Sequence, residues 1–283
     1  MGAQIGCEYA LGGHDVTLHA RNLERAAERI DAALALMAAH RLRTADEIRR
    51  AARRVSMVAD AGTAASGAEL VVESLPEDLE LKASVLRLAR ATAPGAVVAT
   101  NTSSLSITAI GEAIGAPERT VGTHYLNPPL LMPPVEIVAG KRTSAETVAF
   151  ACATVASLGK RPIVVRRDVP GFVWNRLQFA LVRECTWLVE NGVATAVDVD
   201  TVVREGLARR WRHVGPLRSI ALGGVDTWNR SGRNIVPELS TLPGLPDLDE
   251  IAIGGGDLLA DAAVRDTALA WELREARPGG GTP

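Results

Sequence analysis

The chain has 283 residues, 47% hydrophobic and 23% charged, enough for one large or two ordinary domains with a substantial core. Its 31 basic and 33 acidic side chains leave a net charge of -2, so no overall field favours nucleic acid or an anionic membrane, and a small-molecule ligand recognised locally is expected instead. No apolar run approaches the ~20 residues of a spanning helix, and no signal-peptide pattern opens the chain. The three cysteines (Cys7, Cys152, Cys185) are scattered through apolar helical patterns. A cytoplasmic protein with no metal site is expected.

The chain opens with a helical stretch whose small residues, Gly2, Ala3, Gly6 and Ala10, share a face, and it stops at Gly12-Gly13 before the apolar strand "DVTLHA". That order suits a dinucleotide-binding unit, in which a buried strand and a tight glycine turn precede the helix so that backbone N–H groups meet a pyrophosphate. Neither stands before Gly2. Asn22 is placed to cap the next helix, on which Ala26, Ile30, Ala33, Leu34 and Met37 share a face. Further apolar runs, "ELVVESL", "AVVAT", "TVGTHY" and "RPIVVR", read as strands, several without a polar face. Thr143 and Glu146 have capping-box spacing before a helix that ends at Gly159.

Strands alternating with helices predict an α/β domain over 1–167 with a mostly parallel, doubly covered sheet. Past "RRDVPGFVWNRLQ" the strand signal fades, predicting an all-α domain over 168–283. Within it a Pro- and Gly-rich loop spans 241–256, a last amphipathic helix lies near 258–275, and a disordered tail, "RPGGGTP", is expected.

Four segments place polar residues where such a sheet presents its ligand face. "VVATNTSSLSIT" ends a buried strand at Asn101, Thr102, Ser103 and Ser104. "VGTHYLNPP" ends another at His124, and "PPVEIV" puts Glu136 inside an apolar strand, where a carboxylate needs a partner. His124 is the natural one, because an acceptor on one imidazole nitrogen fixes the tautomer and raises the basicity of the other. "VPGFVWNRLQ" supplies Asn175 and Arg176 at a helix start. Plainer readings stand beside these: Glu136 in a structural ion pair with Arg176 or a lysine, Ser103 and Ser104 as caps of a helix starting at Leu105, and Asn175 as a packing amide.

Together, "NTSSLSIT", "THYLNPP", "PPVEIV" and "VPGFVWNRLQ" resemble, in order and separation, the 3-hydroxyacyl-CoA dehydrogenase family. The likeness runs from "MG" through "VVESLPEDLELK" to "REGLARRWRHVGPL". It implies a Rossmann-type domain with a helical substrate and dimerisation domain, and hydride transfer between NAD or NADP and a 3-hydroxyl group. His124 then corresponds to the catalytic histidine, Glu136 to its orienting carboxylate, and Ser103 and Asn175 to the groups that hold the substrate oxygen. Glu77 and Lys82 correspond to cofactor-contacting residues, as do Asn101 and Asn127, although a solvated helix face explains Glu77 and Lys82 equally well.

The chain departs from this pattern at its start, where Gly2 resembles the third glycine of the motif. A start upstream of Met1 is expected, with loss of cofactor binding as the alternative. Ala20 and Arg21 stand where NAD-binding members carry an acidic residue, and an arginine there suits a 2′-phosphate. The substrate expected is a short-chain 3-hydroxyacyl-CoA. A free 3-hydroxy acid of the gulonate or carnitine type is the alternative; Arg209, Arg210, Arg212 and His213 are candidates to hold a carboxylate or CoA phosphates, with a solvated basic helix end as the plainer reading. A homodimer is expected.

Overall fold

The computed structural model describes residues 1–246, 248 and 257–276. They fall into two compact units, Met1–Val173 with Leu259–Pro283, and Trp174–Leu258. Seven strands build the first unit: β1 (Val16–His19), β2 (Val55–Val58), β3 (Leu70–Glu73), β4 (Val97–Thr100), β5 (Thr120–Tyr125), β6 (Pro134–Ala139) and β7 (Arg161–Val165). Helices alternate with them: α1 (Gly2–Leu11), α2 (Leu23–Ala39), α3 (Ala45–Arg53), α4 (Ala61–Ala65), α5 (Leu79–Thr92), α6 (Ile107–Ala113) and α7 (Ala145–Ser157).

The expected Rossmann-type arrangement is present, in two sheets. β1 and β2 form a parallel pair, and β3-β4-β5-β6-β7 form the second sheet, in which only the β5–β6 pairing is antiparallel. Among the described residues, β1 and β3 each have a strand partner on one side only. Both still feed one core, where Val16, Leu70 and Val72 pack against Ile5, Tyr9, Val121, Tyr125 and Ile137. The pattern of β4, apolar and buried at every position up to Thr100, is what a central parallel strand requires.

Local chemistry sets the boundaries. Asn22 accepts from the Arg25 N–H at the start of α2, as expected. The cap of α7 is Ser144, which accepts from the Thr147 N–H, and not Thr143, whose hydroxyl ties the Thr120 carbonyl to the Gly140 N–H. A complete capping box occurs instead at Thr44 and Glu47, opening α3. Strand β2 was not expected; "VSMV" is short and sits directly behind the basic end of α3. Gly2 is not the tight helix-to-sheet contact, since an added Cβ would meet Ser74 Cβ at an ordinary 3.5 Å. That constraint lies one turn further on, at Gly6, where a Cβ would sit 2.9 Å from Leu18.

In the second unit, α8 (Trp174–Glu190) and α9 (Ala196–Thr201) lead into a π-helical stretch, Val202–Ala208, then α10 (Arg209–Trp211), α11 (Pro216–Gly223) and α12 (Val225–Ile235). The last helix, α13 (Leu258–Glu275), is only weakly amphipathic, with Leu259, Val264 and Trp271 exposed, and belongs by contact to the first unit, where Leu269, Ala270 and Leu273 pack with Met37, Leu130 and Leu131. Sequence periodicity alone assigns this helix to the second domain, over 168–283. Residues 277–283 and most of the Pro- and Gly-rich loop lie outside the described residues. Among the described residues no helix is long and apolar enough to cross a membrane.

Candidate active site

β5 and β6 place His124 directly opposite Glu136 in register, so both side chains leave the sheet on one face. His124 Nδ1 lies 2.7 Å from Glu136 Oε2, and the residues are 6% and 4% exposed. The carboxylate only accepts, so Nδ1 carries the proton and Nε2 is left as the basic nitrogen. The other oxygen of Glu136 accepts from the Val173 N–H at 2.9 Å. This amide was not foreseen in the sequence; its position depends on a turn in which Gly171 and Phe172 both adopt left-handed backbone, with φ of +76° and +49°. Phe172 is 1% exposed and sits edge-on to the imidazole, ring centroids 5.7 Å apart.

A second carboxylate gathers the segment after β4. Glu77 Oε1 accepts from the Ser103 N–H at 2.6 Å, from the Ser103 hydroxyl at 2.9 Å and from the Ser104 N–H at 3.2 Å, while the Thr102 hydroxyl donates to both oxygens. Partial burial opposes its ionisation. The Ser103 amide, the Thr102 and Ser103 hydroxyls and the Lys82 charge outweigh it and hold the acid down at about 2. Helix α6 starts at Ile107 under Ser106, so Ser103 and Ser104 do not cap it. Asp168 joins the end of the first unit to this corner, accepting from Ser106 Oγ, the Thr108 N–H and Thr108 Oγ1.

Lys82 is not on a solvated face. It is 1% exposed, and its ammonium meets Glu73 Oε1 at 2.8 Å, the Leu75 carbonyl at 2.9 Å and Glu77 Oε2 at 3.4 Å. Glu73 also accepts from Thr100 Oγ1 at 2.6 Å and from the Leu75 N–H. Lys82 therefore braces the ends of β3 and β4 from inside. Asn101 similarly uses its carbonyl oxygen on the Tyr125 N–H, linking β4 to β5. Asn127 is exposed just beyond β5, before a cis bond to Pro128. Lys160 secures that loop from below, donating to the Pro129 and Met132 carbonyls at 2.7 and 3.1 Å. Ala20 and the exposed Arg21 follow β1. Asn175 is the second residue of α8, in the other unit, as are the exposed Arg209, Arg210, Arg212 and His213.

Whether these residues suit a dinucleotide is decided at the start of α1. Its first turn has no side-chain cap, and Gln4 Oε1 and Ser74 Oγ, one in that turn and one just past β3, are buried without a hydrogen-bond partner. Uncapped helix N–H groups beside orphaned polar atoms at the carboxyl edge of a parallel sheet fit a polar, anionic cofactor.

A Rossmann-type unit with this edge has the features of a dinucleotide-binding protein. Residues 1–169 match the model for "3-hydroxyacyl-CoA dehydrogenase, NAD binding domain", and residues 171–240 match that for its C-terminal domain. The chain belongs to the 3-hydroxyacyl-CoA dehydrogenase family, and its first unit matches that family's NAD-binding domain.

Among proteins of known name, it is 40% identical over 182 residues to 5-formyl-3-hydroxy-2-methylpyridine 4-carboxylate 5-dehydrogenase of Mesorhizobium japonicum, covering 64% of this chain and 59% of that one. It is 44% identical over 162 residues to L-carnitine dehydrogenase of Streptomyces coelicolor, covering 57% of this chain and 51% of that one. The chain thus matches less than two thirds of the length of these relatives. Among solved structures, the pyridine-carboxylate 5-dehydrogenase described as an NAD+ dependent dismutase superposes with a TM-score of 0.86 at 30% identity, over 98% of this chain and 96% of that one. 3-Hydroxybutyryl-CoA dehydrogenase of Escherichia coli gives 0.67 at 35% identity, over 73% and 44%.

Proposed function

We propose that this protein catalyses NAD-dependent oxidation of a hydroxyl group on a small free hydroxy acid, and the reverse reduction, with His124 as the acid/base. The observation that carries this reading is the buried His124–Glu136 pair on one face of β5 and β6. In the oxidative direction Nε2 takes the hydroxyl proton while the carbon–hydrogen bond breaks; in reverse the imidazolium returns the proton to the oxygen. Bound NAD supplies the acceptor for the hydride that leaves with the electron pair. Glu136, 2.7 Å from Nδ1, stabilises the imidazolium, and its contact with the Val173 amide keeps it in place. Ser103, whose one hydroxyl proton goes to Glu77 Oε1, meets the substrate hydroxyl as an acceptor. Glu77 fixes Ser103 for that task through both its amide and its hydroxyl.

The preference for a free acid over the expected acyl-CoA is supported by the relatives named for L-carnitine and for a pyridine carboxylate. The acyl-CoA reading keeps the support of the family description and of the 3-hydroxybutyryl-CoA dehydrogenase superposition. We further propose that the helical unit pairs with a second copy, since Leu217, Leu222, Val197 and Phe179 are exposed on it. Purified protein assayed with NAD against L-carnitine, 5-formyl-3-hydroxy-2-methylpyridine 4-carboxylate and 3-hydroxybutyryl-CoA tests the substrate class. Turnover of a free acid above that of the CoA ester is expected; turnover of the ester alone would return the assignment to the acyl-CoA class.

A further inference from the structure

The turn that ends the first unit carries an unusual residue. Left-handed backbone is the province of glycine, and Gly171 uses it, yet the next position, at φ +49°, is a fully buried phenylalanine. Its ring is anchored among Ile107, Val138 and Val165 and lies edge-on to His124. A hydrogen bond from the Phe172 N–H to the Val169 carbonyl, 3.0 Å, closes the turn. The next amide in the chain, that of Val173, then points at Glu136 Oε1. Had residue 172 taken an ordinary extended or right-handed conformation, the following peptide plane would rotate and that amide would leave the carboxylate.

We propose that Phe172 is a positioning residue for the acid/base pair: its left-handed backbone delivers the Val173 N–H to Glu136, which holds the carboxylate in line with His124 Nδ1. The ring packs in the core beside the bend and is not needed to set it. This inference rests on the reading of His124 as the acid/base, but its first readout is taken on the resting protein, apart from turnover. A proton shared between imidazole Nδ1 and a buried carboxylate gives a far-downfield proton NMR resonance, assigned here by its loss in His124→Gln.

Leucine and isoleucine are isomers that differ in branching at Cβ, and only the β-branched one strongly resists left-handed backbone. Phe172→Leu should keep the downfield resonance and hold kcat within about three-fold of the wild type. Phe172→Ile should lose the resonance and about ten-fold or more in kcat, with KM changed less than about two-fold. If the two variants behave alike, with or without the resonance, the backbone assignment is wrong. Should Phe172→Ile fail to fold by circular dichroism, Phe172→Gly decides the matter. Glycine adopts the bend without a ring, so the resonance must survive there, and its loss would overturn the proposal. If His124→Gln retains turnover, the acid/base reading fails, and the comparison of resonances still stands or falls separately.

Discussion

Two carboxylate clusters sit at the same edge of the five-stranded sheet, and they are built for opposite purposes. Around Glu73 and Lys82 every strong group is used up: the ammonium meets two carboxylates and a carbonyl, and Glu73 accepts from a hydroxyl and an amide. Around Glu136 the partner is an imidazole, which keeps one nitrogen outside the pair. A buried lysine in a saturated network holds strand ends together. A buried histidine braced on one side only is a group that can pass a proton. Burial alone, nearly equal in the two clusters, does not distinguish structure from chemistry; the unused valence does.

Breaking the first cluster should show in stability more than in chemistry. Lys82→Met leaves the carboxylate of Glu73 buried and uncompensated, and a loss of about 3–5 kcal/mol in denaturant unfolding is expected. Unchanged stability would remove Lys82 from the bracing of these strand ends. Breaking the second should do the reverse. Glu136→Gln preserves shape but removes the charge beside Nδ1, and kcat is expected to fall about 10²-fold while the melting temperature moves little.

Glu77 lies between these cases. Its folded-state value of about 2 is below the ordinary 4.5, so its contribution to stability is full above about pH 4.5 and is lost as pH falls toward 2. Glu77→Gln should therefore narrow the stability difference between pH 6 and pH 3 seen in wild-type melts. The effect is reduced by solvent, because the side chain is 35% exposed. Arg21→Ala is expected to be the mildest change. NADH binding should shift by less than about two-fold, and any residual NADPH binding should weaken more, since the exposed guanidinium suits a 2′-phosphate. Equal losses for the two cofactors would remove Arg21 from the account.

Six of the seven strands were legible because their apolar runs are bounded by turn residues, and the His124–Glu136 partnership because a lone carboxylate in "PPVEIV" demands a partner. β2 escaped notice because four residues of weak alternation carry little signal without the β1 edge they pair with. The bracing role of Lys82 was not legible, with a cofactor contact and a solvated face both open in the sequence, since its burial depends on Glu73, nine residues away on a different element. The cap of α7 was placed one residue early because Thr143 and Ser144 both have the right chemistry, and only the contact of Thr143 with Thr120 decides between them. Gly6, not Gly2, carries the close packing because Leu18 fills the space above it. The bend at Phe172 could not be foreseen at all, as nothing in "VPGFV" marks a phenylalanine for left-handed backbone.

The most direct measurement is the single-turnover rate of nicotinamide reduction by His124→Gln, taken on protein whose melt and NADH affinity match the wild type. A loss of about 10²–10⁴-fold with cofactor binding intact is predicted. A rate within about ten-fold of the wild type would contradict the assignment of the proton-transfer step to His124.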